Sequence, residues 1–372
     1  MTAGHDTGKW LLGLMSGTSM DGIDAALIRS DGERVLECGE SFFRPYSLPE
    51  RERIEGCLLQ KDRSLEAVRA LEEEQTLWHV EAVEQLMQKA GLSASDIALI
   101  GFHGQTLWHN PADRETLQIG DGALLASRTG IAVVNDFRAA DVARGGEGAP
   151  FAPAYHAALA RSAGGGQETV AFLNIGGVSN VTLVRGELDD RMLAFDLGPG
   201  NALMDDWARA WTGQACDLDG EMAARGVVAQ EVLSEALEHP FFRKSFPKSL
   251  DRNDFSLEFF ASRIERSEDV MATLAAFTVK AIGAGEALLP EKPAKWFVTG
   301  GGRHNPVLMK TLSEELSGEV LPVEARGWNG DVLEAQAFAY LALRSRLGLP
   351  LSWPGTTAVP EACRGGVLHQ PA

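Results

Sequence analysis

The chain has 372 residues, 45% of them hydrophobic and 23% charged, the balance of a globular protein long enough for two domains and a core that needs no disulfide staples. It carries 34 Lys and Arg against 52 Asp and Glu, a net charge of −18, which argues against a general nucleic-acid binder and against docking on anionic membranes, because both need a basic face. An anionic small ligand is compatible with this charge if helix N-termini, Gly-rich backbone, a metal or one well-placed Arg holds it.

Trp10–Met15 is a continuous apolar run, as in a strand buried on both faces. Residues 16–22 form a small polar loop, 23–28 return as a second strand and 34–43 make a third. Leu65, Val68, Leu71, Val80, Val83 and Leu86 fall near helical spacing, which predicts a helix over 65–86 that stops by Gly91. Ile97–Phe102 is a buried strand running into His103, Gly104 and Gln105, and 131–134 is a short strand followed by Asn135, Asp136, Arg138 and Asp141. Residues 144–150 are the densest Gly/Pro segment of the first half, and a domain boundary falls just before them. The pattern then restarts: a strand over Val170–Ile175, a loop at 176–180, a return strand at 181–184 and a third at 192–195 that ends at Asp196. Strand, Gly/Ser loop, strand, strand thus occurs twice, a repeat weak in identity and clear in layout. Helices are expected over 200–211, 227–237, 256–263 and 270–288, then a strand over Lys295–Thr299, a helix after Asn305, a last helix from Asp331 to about 347 and an extended tail over 349–372. The expected domains are 1–140 with about 345–372, and 141–344.

The chemistry-bearing residues cluster at the loops. No G-x-x-x-x-G-K-[ST] motif occurs, and Gly300–Gly302 lacks the dinucleotide G-x-G-x-x-G spacing. Three turns expose backbone N–H groups: Gly17 to Gly22, Gly176 to Asn180, and Gly300 to Asn305. Each alone reads as a tight turn. Together, two of them in matching hairpins, they are how actin-like kinases grip a nucleotide, with an acid in the first loop (Asp21) holding the metal through water. Asp196 precedes Gly198, Pro199, Gly200 and Asn201. It is either a helix cap or a carboxylate placed to deprotonate an attacking nucleophile. Asp24, Asp136, Asp141, Asp217, Asp219, Asp331 and Glu334 read mostly as caps or solvated faces, Asp331 with Glu334 as a capping box. His103 and His109 do not have the spacing of a zinc pair on a helix, and His103 beside Gln105 suits hydrogen bonding to a polar ligand. No G-x-S-x-G elbow is present. Cys38, Cys57, Cys216 and Cys363 form no C-x-x-C pair and read as reduced thiols. No stretch approaches the ~20 apolar residues of a membrane span and no signal peptide is evident, so the chain reads as cytoplasmic.

As a set, GLMSGTSMDGIDAAL (13–27), GFHGQTLWH (101–109), LQIGDG (117–122), VVNDFRAADVARGGEGAP (133–150), FLNIGGVSNVT (172–182), AFDLGPGN (194–201), VTGGGRHNP (298–306) and DVLEAQAFAYLA (331–342) resemble the anhydro-N-acetylmuramic acid kinase family, in family order over most of the chain. The resemblance implies an α/β, two-domain actin-like ATPase (ribonuclease H-like) fold with an interdomain cleft. It implies ATP, Mg²⁺ and a homodimer. It also implies a reaction of murein recycling in which water opens 1,6-anhydro-N-acetylmuramic acid while the freed O6 takes the γ-phosphoryl group. Carried over by motif, Gly17, Thr18, Ser19, Met20, Asp21, Gly22, Ile23 and Asp24 would bind ATP phosphates. Gly176, Gly177, Asn180, Gly300, Gly301, Gly302 and Asn305 would complete the nucleotide site. Asp196 would be the general base. His103, Gln105, Asp136, Arg138 and Glu334 would line the sugar, with Arg138 on its lactyl carboxylate. Three departures stand out: Leu197 where a small polar residue is expected, Phe151-Ala152-Pro153 for a Leu-Val-Pro run, and an unusual ending from Thr356 to Cys363. The alternatives are another sugar or polyol kinase of this fold, or an actin-like ATPase that is not a kinase.

Overall fold

The computed structural model describes residues 8–17, 19–164, 168–186, 189–246, 248–251 and 254–371. Thr18, expected at the phosphates, lies outside the described residues. The chain divides into two compact units, Met1–Gly164 with Val332–Ala372, and Gly165–Asp331.

In the first unit the strands are β1 (Trp10–Met15), β2 (Gly22–Ser30), β3 (Val35–Pro45), β4 (Ile97–Phe102), β5 (Gln105–Asn110), β6 (Glu115–Ile119) and β7 (Val133–Asn135). β3, β2 and β1 form an antiparallel meander, and β4 and β7 continue it in parallel. Both faces of β1 are covered, so it is apolar throughout, with Leu12 and Leu14 fully buried. The helix Leu333–Arg346 lies across β1, β2 and β4. It comes close because Gly13 and Gly101 have no side chains: a Cβ at Gly13 would stand 1.7 Å from the carbonyl oxygen of Ala335, and one at Gly101 2.0 Å from that of Phe338. The helix Glu66–Ala90 packs against β2 and β3 and ends on Gly91 at φ 66, as its sequence indicates.

The second unit repeats the plan with β8 (Val170–Ile175), β9 (Val178–Val184), β10 (Leu193–Pro199), β11 (Lys295–Thr299) and β12 (Glu319–Pro322). β10, β9 and β8 are the antiparallel meander, and β11 and β12 add in parallel. The helix Ser267–Glu286 covers this sheet, and Met271, Phe277 and Ile282 join Leu173, Leu183 and Trp296 in its core. Three antiparallel strands continued by two parallel ones, in both units, is the strand order of the ribonuclease H-like, actin-like ATPase fold.

Several expectations change in detail. The units meet in sequence at 164/165 and 331/332, not at 140/141 and 344/345. The helix Ala152–Ser162 packs on β3 and on Leu333–Arg346, which ties both helices to the first unit. β5 and β6 form a separate two-stranded sheet that the sequence reading passes over. The tail is not simply extended: Pro354–Thr357 is a helical turn, Ser352 bridges Cys363, and β13 (Val367–His369) adds antiparallel to β7. Asp331 does not cap the last helix, which starts at Leu333 with no side-chain cap. Among the described residues no helix is long and apolar enough to cross a membrane.

Candidate active site

In the second unit a polar row crosses four strands. Thr299 of β11 registers with Asn174 of β8, Asn174 with Asn180 of β9, and Asn180 with Asp196 of β10. Residues directly opposite share a face, so the carboxylate and the two amides form one polar ledge. Asp196 lies within β10 rather than at its end, because the pairing with β9 slips by one residue between Asp196 and Gly198 and lets the strand continue to Pro199. The residue in the slip is Leu197. It is fully buried in the core, where a side chain added at Gly285 would collide with it. Leu197 therefore serves the core.

Asp196 is held by a segment from elsewhere in the sequence. Its N–H donates to the carbonyl of Lys248 at 3.1 Å, and the N–H of Leu250 donates to its Oδ2 at 2.9 Å. Desolvation pushes its pKa up to about 6, against the opposing pull of that amide and of the Lys248 ammonium. It caps no helix: the following one, Ala202–Thr212, begins after Asn201 without a side-chain cap. A carboxyl that ionises near neutrality is well matched to taking a proton from water.

The two Gly turns of this unit pack on the same end of β8. The N–H groups of Asn201 and Gly200 donate to the carbonyls of Gly176 and Gly177 at 2.7 and 2.9 Å, and Asn201 Nδ2 donates to the carbonyl of Ile175 at 3.0 Å. Gly300 has φ 76, and a Cβ there would stand 2.4 Å from Asn174 Oδ1 and 2.6 Å from the Ile175 carbonyl. Arg303 pins the turn: it donates to the Gly300 carbonyl at 2.9 Å, to Glu324 at 2.8 Å and to Asp331 at 2.6 Å. This ion pair is what occupies Asp331. Asn305 caps the helix Pro306–Glu315 with its side-chain oxygen, which accepts from the N–H groups of Val307 and Leu308.

In the first unit the turn after β1 is closed by Met20 N–H to the Gly17 carbonyl at 3.2 Å, with Met20 at φ 53. The Ser19 hydroxyl donates to exposed Asp21 at 2.7 Å. Gly22 admits no side chain, since a Cβ would stand 2.3 Å from the Arg44 carbonyl. Ile23 points into the core and is fully buried, so a phosphate could meet only its backbone. Asp24 registers with Met15 and with Phe43.

The same unit brings three of the five expected sugar residues together. His103 Nδ1 bonds the Gly104 carbonyl at 2.7 Å, which makes Nδ1 the protonated nitrogen and leaves Nε2 to accept from Arg138 Nε at 3.0 Å. Desolvation, then the Arg138 cation, holds the His103 pKa well below its usual value, so the ring is neutral. Arg138 donates a second bond to the Gly148 carbonyl at 2.6 Å. Burial lowers its pKa to about 10 despite the facing carboxylate of Glu334. Glu334 keeps solvent access, yet desolvation raises its pKa against the attraction of Arg138. The Phe338 ring packs against His103, tilted by 45° with centroids 4.6 Å apart. Gln105 looks the other way, donating from Nε2 to the Gly17 carbonyl of the turn after β1 at 3.2 Å, and its Oε1 is buried with no hydrogen-bond partner among the described residues. Asp136 is exposed at φ 53, and no bond ties it to the Arg138 group among the described residues.

Residues 9–371 match the family model described as "AnmK: Anhydro-N-acetylmuramic acid kinase". The chain is 48% identical over 361 residues to the anhydro-N-acetylmuramic acid kinase of Paramagnetospirillum magneticum, covering 97% of this chain and 99% of that one. It is 49% identical over 362 residues to that of Rhodospirillum rubrum, covering 97% and 94%. The chain belongs to the anhydro-N-acetylmuramic acid kinase family. As a member of the anhydro-N-acetylmuramic acid kinase family, it carries polar groups around its Gly turns that sequence reasoning missed. Asn174, Thr299, Lys248 and Leu250 reach the Asp196 ledge, and Gly148 and Phe338 hold the Arg138 group. Asn174 and Thr299 left a signal, as polar residues at the ends of apolar strands that run into Gly turns. The others reach the site through pairings distant in sequence.

Proposed function

We propose that this protein is an ATP-dependent kinase that hydrolytically opens the 1,6-anhydro ring of anhydro-N-acetylmuramic acid and phosphorylates O6. The observation that carries the reading is Asp196, a carboxyl raised to about 6 on a polar ledge beside two Gly turns. Asp196 takes a proton from water, and the water oxygen bonds C1. The C1–O6 bond breaks, and O6 takes the γ-phosphoryl group as ADP leaves. Phosphoryl capture neutralises the alkoxide, so no separate acid is needed at O6.

The Gly17–Gly22, Gly176–Gly177 and Gly300–Gly302 turns offer backbone to the nucleotide. The donor set at Asp21, a single exposed carboxylate beside a phosphate turn, fits Mg²⁺, which takes one or two carboxylates and fills its shell with water and phosphate oxygens. When bound, the metal neutralises charge on the transferring phosphoryl group. Arg138, with Nε and one Nη hydrogen already given to His103 and Gly148, meets the sugar's lactyl carboxylate with its outer edge. Neutral His103 orients Arg138, and Glu334 holds sugar hydroxyls. We propose further that it works in cell-wall recycling in the cytoplasm, as a homodimer. Sedimentation as a monomer at working concentration would reject the last point.

The test is mass spectrometry of the product formed from the anhydro-sugar, MgATP and ¹⁸O-water. One phosphoryl group and one labelled oxygen at C1 support the reading. A phosphorylated sugar with its ring closed means an ordinary hydroxyl kinase instead.

A further inference from the structure

Asp141 is 1% exposed, and among the described residues its carboxylate accepts from three donors. The Gly148 N–H donates to Oδ1 at 2.8 Å. The Thr357 hydroxyl, at 2.7 Å, and the Ser352 hydroxyl both donate to Oδ2. Thr357 and Ser352 belong to the C-terminal tail and are themselves buried. The tail grips the same loop a second time, with Glu147 N–H donating to the Thr357 carbonyl at 2.6 Å. Gly148 sits at φ 65, where L side chains are strained, and a Cβ there would stand 2.4 Å from Val142. Gly148 is thus fixed through both of its flanking peptides: N–H to Asp141, carbonyl to Arg138 Nη1 at 2.6 Å. Arg138 in turn donates to His103.

We infer that Asp141, locked by Thr357 and Ser352 of the tail, is a positioning residue for the sugar site. It sets the Gly148 carbonyl that aims the Arg138 guanidinium. The inference rests on the reading that Arg138 binds the anionic sugar. Each of the three donors helps hold the buried carboxylate in place, since loss of a partner leaves charge or N–H unpaired. The unusual ending of this chain is thereby part of the sugar site's support.

The experiment compares Asp141→Ala, Thr357→Val and Arg138→Ala in the full-length protein, with KM for sugar and for ATP and kcat measured separately. Asp141→Ala is expected to raise the sugar KM about tenfold, the equivalent of one hydrogen bond, with the ATP KM and kcat held within about threefold. Thr357→Val, which removes one donor without a cavity, raises the sugar KM about threefold and carries the test if Asp141→Ala fails to fold. A rise in both KM values together, or none in either, overturns the positioning role. If Arg138→Ala raises the sugar KM and the two other variants do not, the positioning role falls and the sugar-site reading stands. If Arg138→Ala leaves the sugar KM unchanged, the sugar-site reading falls and takes this inference with it.

Discussion

Asn180 lies directly opposite Asp196 in the β9–β10 pairing, on the same face of the sheet and one strand away from Asn174. The arrangement places an amide opposite the carboxylate, and the Lys248 ammonium and the Leu250 N–H offset only part of the cost of burial. Desolvation is then the main influence on its pKa, which settles at about 6.

The base role has a pH signature. kcat/KM for the sugar should fall tenfold per pH unit as pH drops below about 6, as Asp196 takes up its proton. His103 adds nothing to this limb, because its pKa lies well below the usual value. Asp196→Asn should lower kcat by about 10²–10⁴ and leave nucleotide affinity intact by calorimetry. A flat profile between about pH 5 and 7 would remove Asp196 from the base role.

Stability should move the opposite way. The folded state holds the Asp196 proton more tightly than the unfolded chain, so ionisation costs folding energy as pH rises through about 6. Asp196→Asn removes the charge and keeps an acceptor for the Leu250 N–H. Its Tm should exceed that of the parent at pH 7, and the difference should close as pH falls through about 6 toward about 3, where the Asp196 carboxyl is protonated in the folded and the unfolded chain alike. Calorimetric melting at the two pH values checks this.

Arg138→Lys keeps the charge and loses the planar fork that spans His103 and Gly148. The sugar KM should rise about tenfold or more, and the preference for the muramic over the glucosamine anhydro-sugar, which lacks the lactyl group, should narrow. Steady-state kinetics with both sugars decide it, and an unchanged preference would assign the carboxylate to another residue.

Gly101→Ala places a methyl 2.0 Å from the Phe338 carbonyl oxygen and 2.5 Å from its carbon. Backbone cannot yield there without lifting the helix Leu333–Arg346 from β1 and β4, so a loss of about 3 kcal/mol is expected. Phe338 packs against His103, and the variant should therefore also bind sugar more weakly than the parent protein. Denaturant titration and sugar binding by calorimetry read the two effects.

Much of the plan was legible in the chain. The twofold strand layout follows from apolar runs interrupted by Gly and Ser, and the Gly91 stop and the Gly300 turn follow from conformations that other residues resist. The β5–β6 hairpin was not legible, because Asn110 to Arg114 carries no two-residue Gly turn and Trp108, His109 and Asn110 alternate poorly. The ordering of the tail was hidden for a different reason: its hydroxyls gain a role only once Asp141 is buried against them.

By itself, then, the sequence determined where the backbone turns, which strands are apolar and which carboxylates and cations stand next to Gly loops, because each of these depends on a residue's own sterics and its neighbours within a turn. Only the tertiary structure decided that Leu197 faces the core, that Asp331 serves Arg303 instead of a helix cap, that Lys248 and Leu250 grip Asp196, and that the tail reaches Arg138 through Asp141 and Gly148. Burial, hydrogen-bond geometry and pKa are sums over groups close in space, and here those groups come from segments far apart along the chain.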